Sequence, residues 1–246
     1  MMTDKGVFLV TGGSRGIGAA IARDAAAQGY FVVLTYVGRA DAAHDVVTAI
    51  QASGGRAEAV QADTGVAADI ARVFALADAR GRLSALVYNG GITGGVGDLA
   101  DQSDDTLARV VAVNLTGALI TCREAVRRLS TRRGGQGGSI VLVSSRAAAL
   151  GSPSQHLWYA ASKGGVDSLT IGLSKEVAGE GIRVNAVSPG PIATEIHAPG
   201  RLDQIRDALP MRREGTPQEV AAAVMFLVSD SASYIAGANI DVAGAR

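Results

Sequence analysis

Residues 7–19 read VFLVTGGSRGIGA, a short apolar run that leads into a glycine-rich turn and then into an alanine-rich segment of helical period. In a strand–turn–helix unit, the first glycine permits a tight turn, and later glycines let the backbone approach a pyrophosphate and let the helix pack on the strand. Free N–H groups at the start of the helix then face the anion. The stretch predicts a dinucleotide-binding turn whose candidate contact residues are Gly12, Ser14, Arg15, Gly16, Ile17 and Gly18.

The rest of the chain repeats this alternation of short apolar runs and longer helical segments, the pattern of βαβ units around a parallel sheet. The predicted strands are Val7–Val10, Phe31–Thr35, Arg56–Gln61, Ala85–Tyr88, Ser139–Ser144, Arg183–Val187 and Ile240–Val242. Helices are expected to begin near Gly16, Ala40, Val66, Asp104, Leu157 and Pro217. The connections are too short to hold a second domain. We therefore expect residues 1–246 to form one α/β domain of Rossmann type, a doubly wound seven-stranded parallel sheet with helices on both faces.

Composition excludes several classes of partner. The chain has 246 residues, and a hydrophobic content of 48% with 19% charged residues is enough to bury a core. Lysine plus arginine and aspartate plus glutamate balance at 23 each, without a basic or acidic block. Nothing therefore favours nucleic acid or an anionic membrane as a partner, and a small-molecule ligand is expected.

The reactive residue types do not point to a metal or to a disulfide. Cys122 is the single cysteine, which excludes an internal disulfide and any multi-cysteine metal site and fits a reducing compartment. His44, His156 and His197 are scattered and have no metal-ligand spacing, so no metal is expected. The first residues show neither a signal-peptide layout nor an apolar span of about 20 residues, and the expected location is cytoplasmic.

The end of the second predicted strand bears on the choice of cofactor. An enzyme that prefers NAD usually places a carboxylate there for the ribose 2′-hydroxyl, but residues 34–39 read LTYVGR and no acid precedes Asp41. Arg15 and Arg39 could instead pair with a 2′-phosphate through charge-assisted hydrogen bonds. With Tyr36 as a further candidate contact, NADP(H) is predicted as the preferred cofactor, and NAD(H) stays an alternative.

A second group of residues carries acid–base chemistry. Tyr159 and Lys163 stand four residues apart and so share one face of a helix. A phenol with a pKa of about 10 needs a nearby positive charge to act as a base at neutral pH, and Lys163 can supply it. Ser145 could hydrogen-bond a substrate oxygen, and Asn114 lies earlier in the chain.

Over essentially its whole length the sequence resembles the short-chain dehydrogenases/reductases. The matching segments, in order, are residues 11–18, Asp63-Thr64, 89–91, Asn114, Ser145, 159–163, Pro189-Gly190, Ser229-Asp230 and 234–237. The resemblance implies hydride transfer between a nicotinamide cofactor and an alcohol or carbonyl substrate. Within the family the sequence is similar both to 3-oxoacyl-thioester reductases and to sugar or polyol dehydrogenases. The resemblance also implies a homodimer or homotetramer built through paired helices near 104–129 and 157–177.

The resemblance also implies a role for each matched residue. Tyr159 would be the general acid/base, Lys163 would lower its pKa and hold the nicotinamide ribose, Ser145 would position the carbonyl, and Asn114 would support a water-linked proton path. The implied cofactor contacts beyond the first turn are Asp63 and Thr64 near the adenine, Asn89 and Gly91 near the adenosine ribose, and Pro189, Ile192 and Thr194 near the carboxamide.

Three departures from the family pattern leave questions open. Gly90 stands where an alanine is usual, which is expected to loosen its turn. Ser145 and Tyr159 are one residue further apart than is common, so Ser144 stays an alternative for the serine role. Residues 243–245 read Ala-Gly-Ala, where many members of the family have a Gly-Gly pair. Substrate specificity is expected from loop residues at the carboxyl edge of the sheet, namely Arg146, Leu150, residues 155–158, Ile92–Leu99 and Glu195–Pro210. The alternative from another functional class is a non-catalytic nucleotide-binding sensor on the same fold.

Overall fold

The centre of the molecule is a parallel sheet whose strands follow the apolar runs of the sequence. The computed structural model describes residues 5–195 and 200–246, apart from the side chains of Arg201 and Gln204. Within these residues the strands are β1 (Val7–Val10), β2 (Phe31–Tyr36), β3 (Arg56–Gln61), β4 (Leu83–Tyr88), β5 (Gly138–Val143), β6 (Ile182–Pro189) and β7 (Asn239–Val242). Their spatial order is β3-β2-β1-β4-β5-β6-β7, and every pairing is parallel. The predicted fold class is confirmed.

Helices cover both faces of this sheet. They are α1 (Gly16–Ala27), α2 (Ala40–Ala52), α3 (Ala67–Arg80), α4 (Asp104–Val111), α5 (Gly117–Leu129), α6 (Ala147–Leu150), α7 (Leu157–Val177), α8 (Arg201–Ile205) and α9 (Pro217–Val228). A π-helical segment, Ala112–Thr116, joins α4 to α5. The predicted helix starts agree with the structure to within one residue. The π segment and the short helices α6 and α8 lie outside the prediction, because such short elements have no periodic apolar pattern.

The apolar runs do not alternate with polar residues because both faces of the sheet are buried. In β1, Phe8 and Val10 pack into a cluster with α1, α2 and α9, whereas Val7 and Leu9 pack into a second cluster with α3, α5 and α7. All four side chains are 0% exposed. The two clusters hold the strand ends rigidly, and the strand ends carry the candidate site.

Local sequence signals determine where two of the helices, α9 and α4, begin. The Thr216 hydroxyl accepts a hydrogen bond from the Glu219 N–H, and the Glu219 carboxylate accepts one from the Thr216 N–H. Pro217 occupies the first helical position of α9. The Ser103 hydroxyl caps α4 by accepting from the Thr106 N–H. In contrast, no side chain caps the start of α1, whose first N–H groups therefore stay available to a ligand.

The helical stretch Asp104–Leu129, which runs from α4 to the end of α5, is long and apolar. Within the described residues it is long and apolar enough, by length and composition alone, to cross a membrane. Core helices of globular proteins pass the same test, and here α5 packs against β4. The stretch is therefore weak support for a membrane span.

The strand order places the candidate site. The chain runs from β1 to β2 and β3 on one side, and then returns to β4 on the other side of β1. Ligands of open α/β sheets bind in the crevice at such a reversal, at the carboxyl ends of the strands. Residues predicted to function lie at the carboxyl ends of β1 to β6, at this edge.

Candidate active site

Three of the predicted catalytic side chains meet beyond the end of β5. Tyr159 and Lys163 lie one turn apart on α7, and the Lys163 Nζ is 5.8 Å from the centroid of the Tyr159 ring. The Lys163 ammonium donates a hydrogen bond to the Val143 carbonyl oxygen at 2.7 Å and is 2% exposed. Ser145, just after β5, lies close enough to the Tyr159 side chain to affect its pKa. The sheet and the helix thus bring a hydroxyl, a phenol and an ammonium together.

Burial shifts the titration of both ionisable groups toward their neutral forms. It raises the pKa of Tyr159, and the nearby Ser145 side chain partly opposes this shift. Burial lowers the pKa of Lys163 to about 8, against the nearby charge of Asp167, which raises it. Lys163 is therefore protonated at neutral pH and loses its proton only slightly above it. A phenol beside such an ammonium is able to donate a proton and to take one back.

Asp167 is a residue near this centre that the sequence reasoning missed. It lies one turn beyond Lys163 on α7, and its Oδ1 accepts a hydrogen bond from the Asn239 amide at 2.9 Å. Burial raises the pKa of its carboxyl, and the hydroxyl of Ser144 and the charge of Lys163 lower it. The spacing of Tyr159, Lys163 and Asp167, four residues each, is the signal that could have identified it.

The structure separates the two candidate serines. Ser144 is buried, and its hydroxyl donates to the Lys163 carbonyl oxygen at 3.3 Å and partly offsets the rise that burial causes in the pKa of Asp167. Ser145 is half-buried, and its hydroxyl faces Tyr159 and accepts from the Ala147 N–H at 3.1 Å. The longer spacing between Ser145 and Tyr159 is taken up in the intervening turn, where Ser152 and Ser154 have positive φ angles of 45° and 54°.

Asn114 lies in the π-helical segment and is completely buried. Its Oδ1 accepts from the Ile92 N–H, and its amide donates to the Ile92 carbonyl and to the Ser162 hydroxyl, each at 2.9 Å. All the amide hydrogens are therefore used within the protein. The side chain fixes the loop after β4 to the catalytic helix, and π-helical turns of this kind recur at functional sites. The water-linked proton path implied by the resemblance stays a prediction.

The glycines of the first turn are required by its geometry. A Cβ on Gly18 would lie 2.2 Å from the Gly12 carbonyl oxygen, and Gly12 and Gly16 have φ angles of +65° and +52°. The turn is held from both neighbouring strands, because the Thr35 hydroxyl accepts from the Gly12 N–H and the Asn89 amide donates to the Gly12 carbonyl. This rigid loop in front of an uncapped helix is a cradle that a diphosphate fits.

The turn after β4 is also firmly held. The Thr11 hydroxyl accepts from the N–H groups of Asn89 at 3.0 Å and of Gly90 at 2.9 Å, so the glycine at position 90 sits in a fixed turn. Gly91 lies next to the Lys163 ammonium, since a Cβ there would be 3.4 Å from the Lys163 Nζ. The Asn89 side chain is used for the first turn, and contact with a ribose stays a prediction.

The predicted adenine contacts follow β3. The Asp63 carboxylate pairs with Arg109 at 2.5 Å through one oxygen and accepts the Gly65 N–H at 2.8 Å through the other. Thr64 is buried beside it. Asp63 is therefore held in place by the protein.

The loop of residues 92–98 packs against the start of α7. The Trp158 indole N–H donates to the Thr93 carbonyl at 2.7 Å, the His156 ring Nδ1 is 2.6 Å from the Gly95 carbonyl oxygen, and the Gly97 N–H donates to the Gln155 carbonyl at 3.1 Å. Trp158 is 4% exposed, and a Cβ on Gly94 would lie 2.9 Å from its nitrogen. These contacts fix the 92–98 loop against the residues that precede Tyr159.

The segment after β6 lies against the glycine-rich turn. Ile192 is buried and bridges to Gly215, and a Cβ on Gly16 would lie 3.1 Å from the Thr194 methyl carbon. Pro189 ends β6 and is buried as well. His197 and the rest of residues 196–199 lie outside the described residues. The segment thus lies directly over the glycine-rich turn.

Glu195 is predicted to belong to the substrate region, but in the structure its side chain lies beside two arginines. One of its oxygens, Oε2, lies 2.7 Å from Arg15 Nη1 and 3.6 Å from Arg39 Nη1. Arg39 also contacts Asp41 at 3.3 Å, and Tyr36 ends β2 nearby in the chain. The two arginines predicted to bind a 2′-phosphate are therefore brought together by the fold, around an anion supplied by the protein.

Two surface clefts differ in their relation to this site. One of about 490 Å³ lies between α1 and α9 and is lined by the carboxyl end of α1, hence at the opposite edge of the sheet. The other, of about 510 Å³, lies between the 92–98 loop and α4, and its lining includes Ile92 and Gly94 of that loop. Among the described residues no group of three or more histidine, cysteine, aspartate or glutamate side chains could hold a metal ion.

Comparison with known proteins decides the family. A family model described as enoyl-(acyl carrier protein) reductase matches residues 12–244. The chain is 46% identical over 245 residues to the protein named uncharacterized oxidoreductase YgfF of Escherichia coli strain K12, covering 98% of this chain and 99% of that one. It is 40% identical to a 3-oxoacyl-[acyl-carrier-protein] reductase of Synechocystis, covering 97% and 95%. The crystal structure of a short chain dehydrogenase from Burkholderia cenocepacia in complex with NADP superposes with a TM-score of 0.91, at 35% identity and with 99% and 98% of the chains covered. The chain belongs to the short-chain dehydrogenase/reductase family.

This short-chain dehydrogenase/reductase is thus an oxidoreductase that acts on CH–OH groups with a nicotinamide cofactor. The geometry around Tyr159 and the cradle at Gly12 agree with that chemistry. Family membership leaves the individual residue roles, the choice between the two nicotinamide cofactors and the substrate to be argued from the site itself.

Proposed function

We propose that this enzyme is an NADP(H)-dependent carbonyl reductase that acts through Ser145, Tyr159, Lys163 and Asn114. The observation that carries the proposal is the meeting of the Ser145 hydroxyl, the Tyr159 phenol and the buried Lys163 ammonium at the carboxyl edge of the sheet. This edge also carries the glycine cradle, so a cofactor held there would lie beside the phenol.

The residues fit a nicotinamide dinucleotide. The Gly12–Gly18 turn and the uncapped start of α1 would hold the diphosphate, and Asp63 and Thr64 would lie on the adenine side. When bound, the cofactor supplies hydride to a carbonyl carbon or accepts it from an alcohol. Residues after β6, with Ile192 and Thr194, would flank the nicotinamide end.

The protein's own groups then manage the oxygen of the substrate. In reduction, Ser145 donates a hydrogen bond to the carbonyl oxygen and polarises it, and Tyr159 delivers its proton to the developing alkoxide. The Lys163 ammonium stabilises the phenolate that remains, because opposite charges at short range favour the ionised forms. In oxidation the same proton moves back to Tyr159. Asn114 holds Ile92, and with it the start of the 92–98 loop, at a fixed distance from α7.

Preference for NADP(H) is supported by charge. Arg15 and Arg39 converge from the ends of β1 and β2, and no carboxylate from the β2 end competes before Asp41. Two guanidinium groups can bind a 2′-phosphate through charge-assisted hydrogen bonds. An NAD-dependent sugar or polyol dehydrogenase is the alternative, and it requires that these arginines give no preference for a cofactor with a 2′-phosphate.

The charge around the cleft favours an uncharged carbonyl substrate over one delivered by an acidic carrier protein. Four arginines in the segments that leave the carboxyl edge of the sheet are paired with carboxylates. The pairs are Arg109–Asp63, Arg146–Asp241, Arg206–Glu214 and Arg213–Glu219. A basic docking patch is therefore largely neutralised.

A homodimer or homotetramer is proposed from the exposed apolar side chains of the long helices. Val111, Leu119 and Ile171 are 43%, 46% and 49% exposed on α4, α5 and α7. Pairing of these helices between subunits would cover them. A sharp monomer in sedimentation velocity at micromolar concentration would contradict this assembly. We also propose that residues 1–246 act as one domain and, from the buried single thiol of Cys122, that the enzyme works in the cytoplasm.

The deciding experiment is calorimetric titration of the purified enzyme with NADPH and NADH, followed by a panel of ketones, aldehydes and acyl thioesters monitored through reduced-nicotinamide absorbance. Tighter binding of NADPH with turnover of a carbonyl compound is the expected result. Tighter binding of NADH would overturn the cofactor preference and leave the acid–base roles standing. Binding without turnover of any compound in the panel would favour the nucleotide sensor.

A further inference from the structure

The anion site at Arg15 and Arg39 is filled by the protein itself. Glu195 reaches it from the segment after β6, 180 residues away from Arg15 in the chain. A single carboxylate oxygen, Oε2, lies 2.7 Å from one guanidinium and 3.6 Å from the other. The contact is therefore a product of the fold and places a negative charge between two cations that come from different strand ends.

The segment that carries Glu195 is anchored just before it. The Ala193 N–H donates to the Gly215 carbonyl at 2.8 Å, and the Gly215 N–H donates to the Pro191 carbonyl at 2.9 Å. Only Thr194 lies between Ala193 and Glu195, and its methyl group lies over Gly16. Glu195 is therefore held over the rim of the glycine cradle, where the side chain needs only a rotamer change to leave the arginines.

A 2′-phosphate and the Glu195 carboxylate need the same donors. The guanidinium group binds either anion through the same planar N–H groups, and a phosphate carries more charge than a carboxylate. The three side chains are 51–61% exposed, so the internal pair is weak and can be exchanged for a stronger anion. A cofactor without the 2′-phosphate does not have to displace Glu195 from both arginines.

We propose that Glu195 sets cofactor selectivity as an internal competitor for the Arg15/Arg39 anion site, so that it weakens binding of NADP(H) and leaves binding of NAD(H) nearly unchanged. The inference rests on the proposed binding of a 2′-phosphate by these arginines. It gives the enzyme a narrower preference between the two cofactors than its pair of arginines alone would produce.

The test uses calorimetric Kd values for adenosine 2′,5′-bisphosphate and 5′-AMP, and for NADPH and NADH, with wild type and Glu195→Gln. Removing the charge should tighten adenosine 2′,5′-bisphosphate and NADPH about two- to fivefold, the range for an exposed ion pair, with 5′-AMP and NADH within about twofold of wild type. Glu58→Gln is the matched control, because Glu58 forms an exposed pair with Arg80 at 2.6 Å beside β3 and should alter none of the four.

The outcomes separate this inference from the proposal beneath it. Weaker or unchanged NADPH binding in Glu195→Gln, together with a selective loss of adenosine 2′,5′-bisphosphate binding in Arg15→Ala, would overturn the competitor role alone. If Arg15→Ala and Arg39→Ala do not weaken binding of adenosine 2′,5′-bisphosphate more than binding of 5′-AMP, the two arginines do not bind a 2′-phosphate. Both the proposed NADP(H) preference and the proposed role of Glu195 would then be wrong.

Discussion

The proposed catalytic centre at Tyr159 and Lys163 and the proposed 2′-phosphate rim at Arg15, Arg39 and Glu195 lie at the same edge of the sheet but are built in opposite ways. Lys163 and Asn114 are 2% and 0% exposed and are held by hydrogen bonds to fixed backbone groups. Arg15 and Glu195 have side chains that are 55% and 61% exposed and contact each other across the surface. Electrostatic interactions are much stronger where water is excluded. We therefore expect changes at the centre to affect the rate by orders of magnitude, and changes at the rim to affect cofactor binding by small factors.

The largest effect is expected from Tyr159→Phe, which keeps the ring and removes the hydroxyl that transfers the proton. The kcat/KM for carbonyl reduction should fall about 10²–10⁴-fold, whereas the Kd for NADPH should change less than about threefold. Tyr234→Phe is the control, because Tyr234 lies fully exposed on the surface. Retained turnover in Tyr159→Phe would remove the proposed role of the phenol.

A second effect should appear in the pH profile. Because burial lowers the pKa of Lys163 to about 8, its ammonium is present at neutral pH and is lost as the pH rises through 8. The kcat/KM for reduction should be level near pH 7 and then decline about tenfold per pH unit well above 8, since Tyr159 becomes a weaker acid without the nearby charge. Lys163→Arg keeps its charge at these pH values and should move the decline upward. An identical decline in both proteins would show that another group titrates.

At the rim, Arg15→Ala should raise the Kd for NADPH about three- to tenfold and leave that for NADH within about twofold, because only the former has a 2′-phosphate. The effect should shrink as salt is raised from about 50 to 500 mM, since the site is exposed. Arg80→Ala, which removes an exposed arginine paired with Glu58, is the control. Equal losses for both cofactors would indicate a structural role for Arg15.

The smallest effect is expected from Gly90→Ala, which restores the residue usual in the family. Gly90 lacks a positive φ, and a Cβ would lie 3.3 Å from the Thr11 hydroxyl oxygen, a tight contact that a small shift relieves. The gain from reduced chain entropy, about 0.4–1 kcal/mol, should roughly offset this contact. Thermal unfolding should show a change in stability below about 1 kcal/mol, with kcat/KM within twofold. A large loss of either would mean that the turn at Thr11 cannot adjust.

Much of the fold follows from local sequence. Apolar runs such as Val7–Val10 predict buried parallel strands, and the signals around Thr216 and Pro217 predict the start of a helix, because these patterns depend on neighbours within a few residues. The π-helical turn around Asn114 and the packing of Trp158 against the loop after β4 were outside such reasoning. They depend on contacts between segments far apart in the chain.

The same division applies to the site. The sequence by itself determined the glycine turn, the pairing of Tyr159 with Lys163 on one helix face and the family, because each depends on residue type at short, ordered spacing. Only the tertiary structure decided that Ser145 rather than Ser144 faces the phenol. It also decided that Glu195 stands between Arg15 and Arg39, since opposite charges from three strand ends meet only when the sheet brings those ends to one edge.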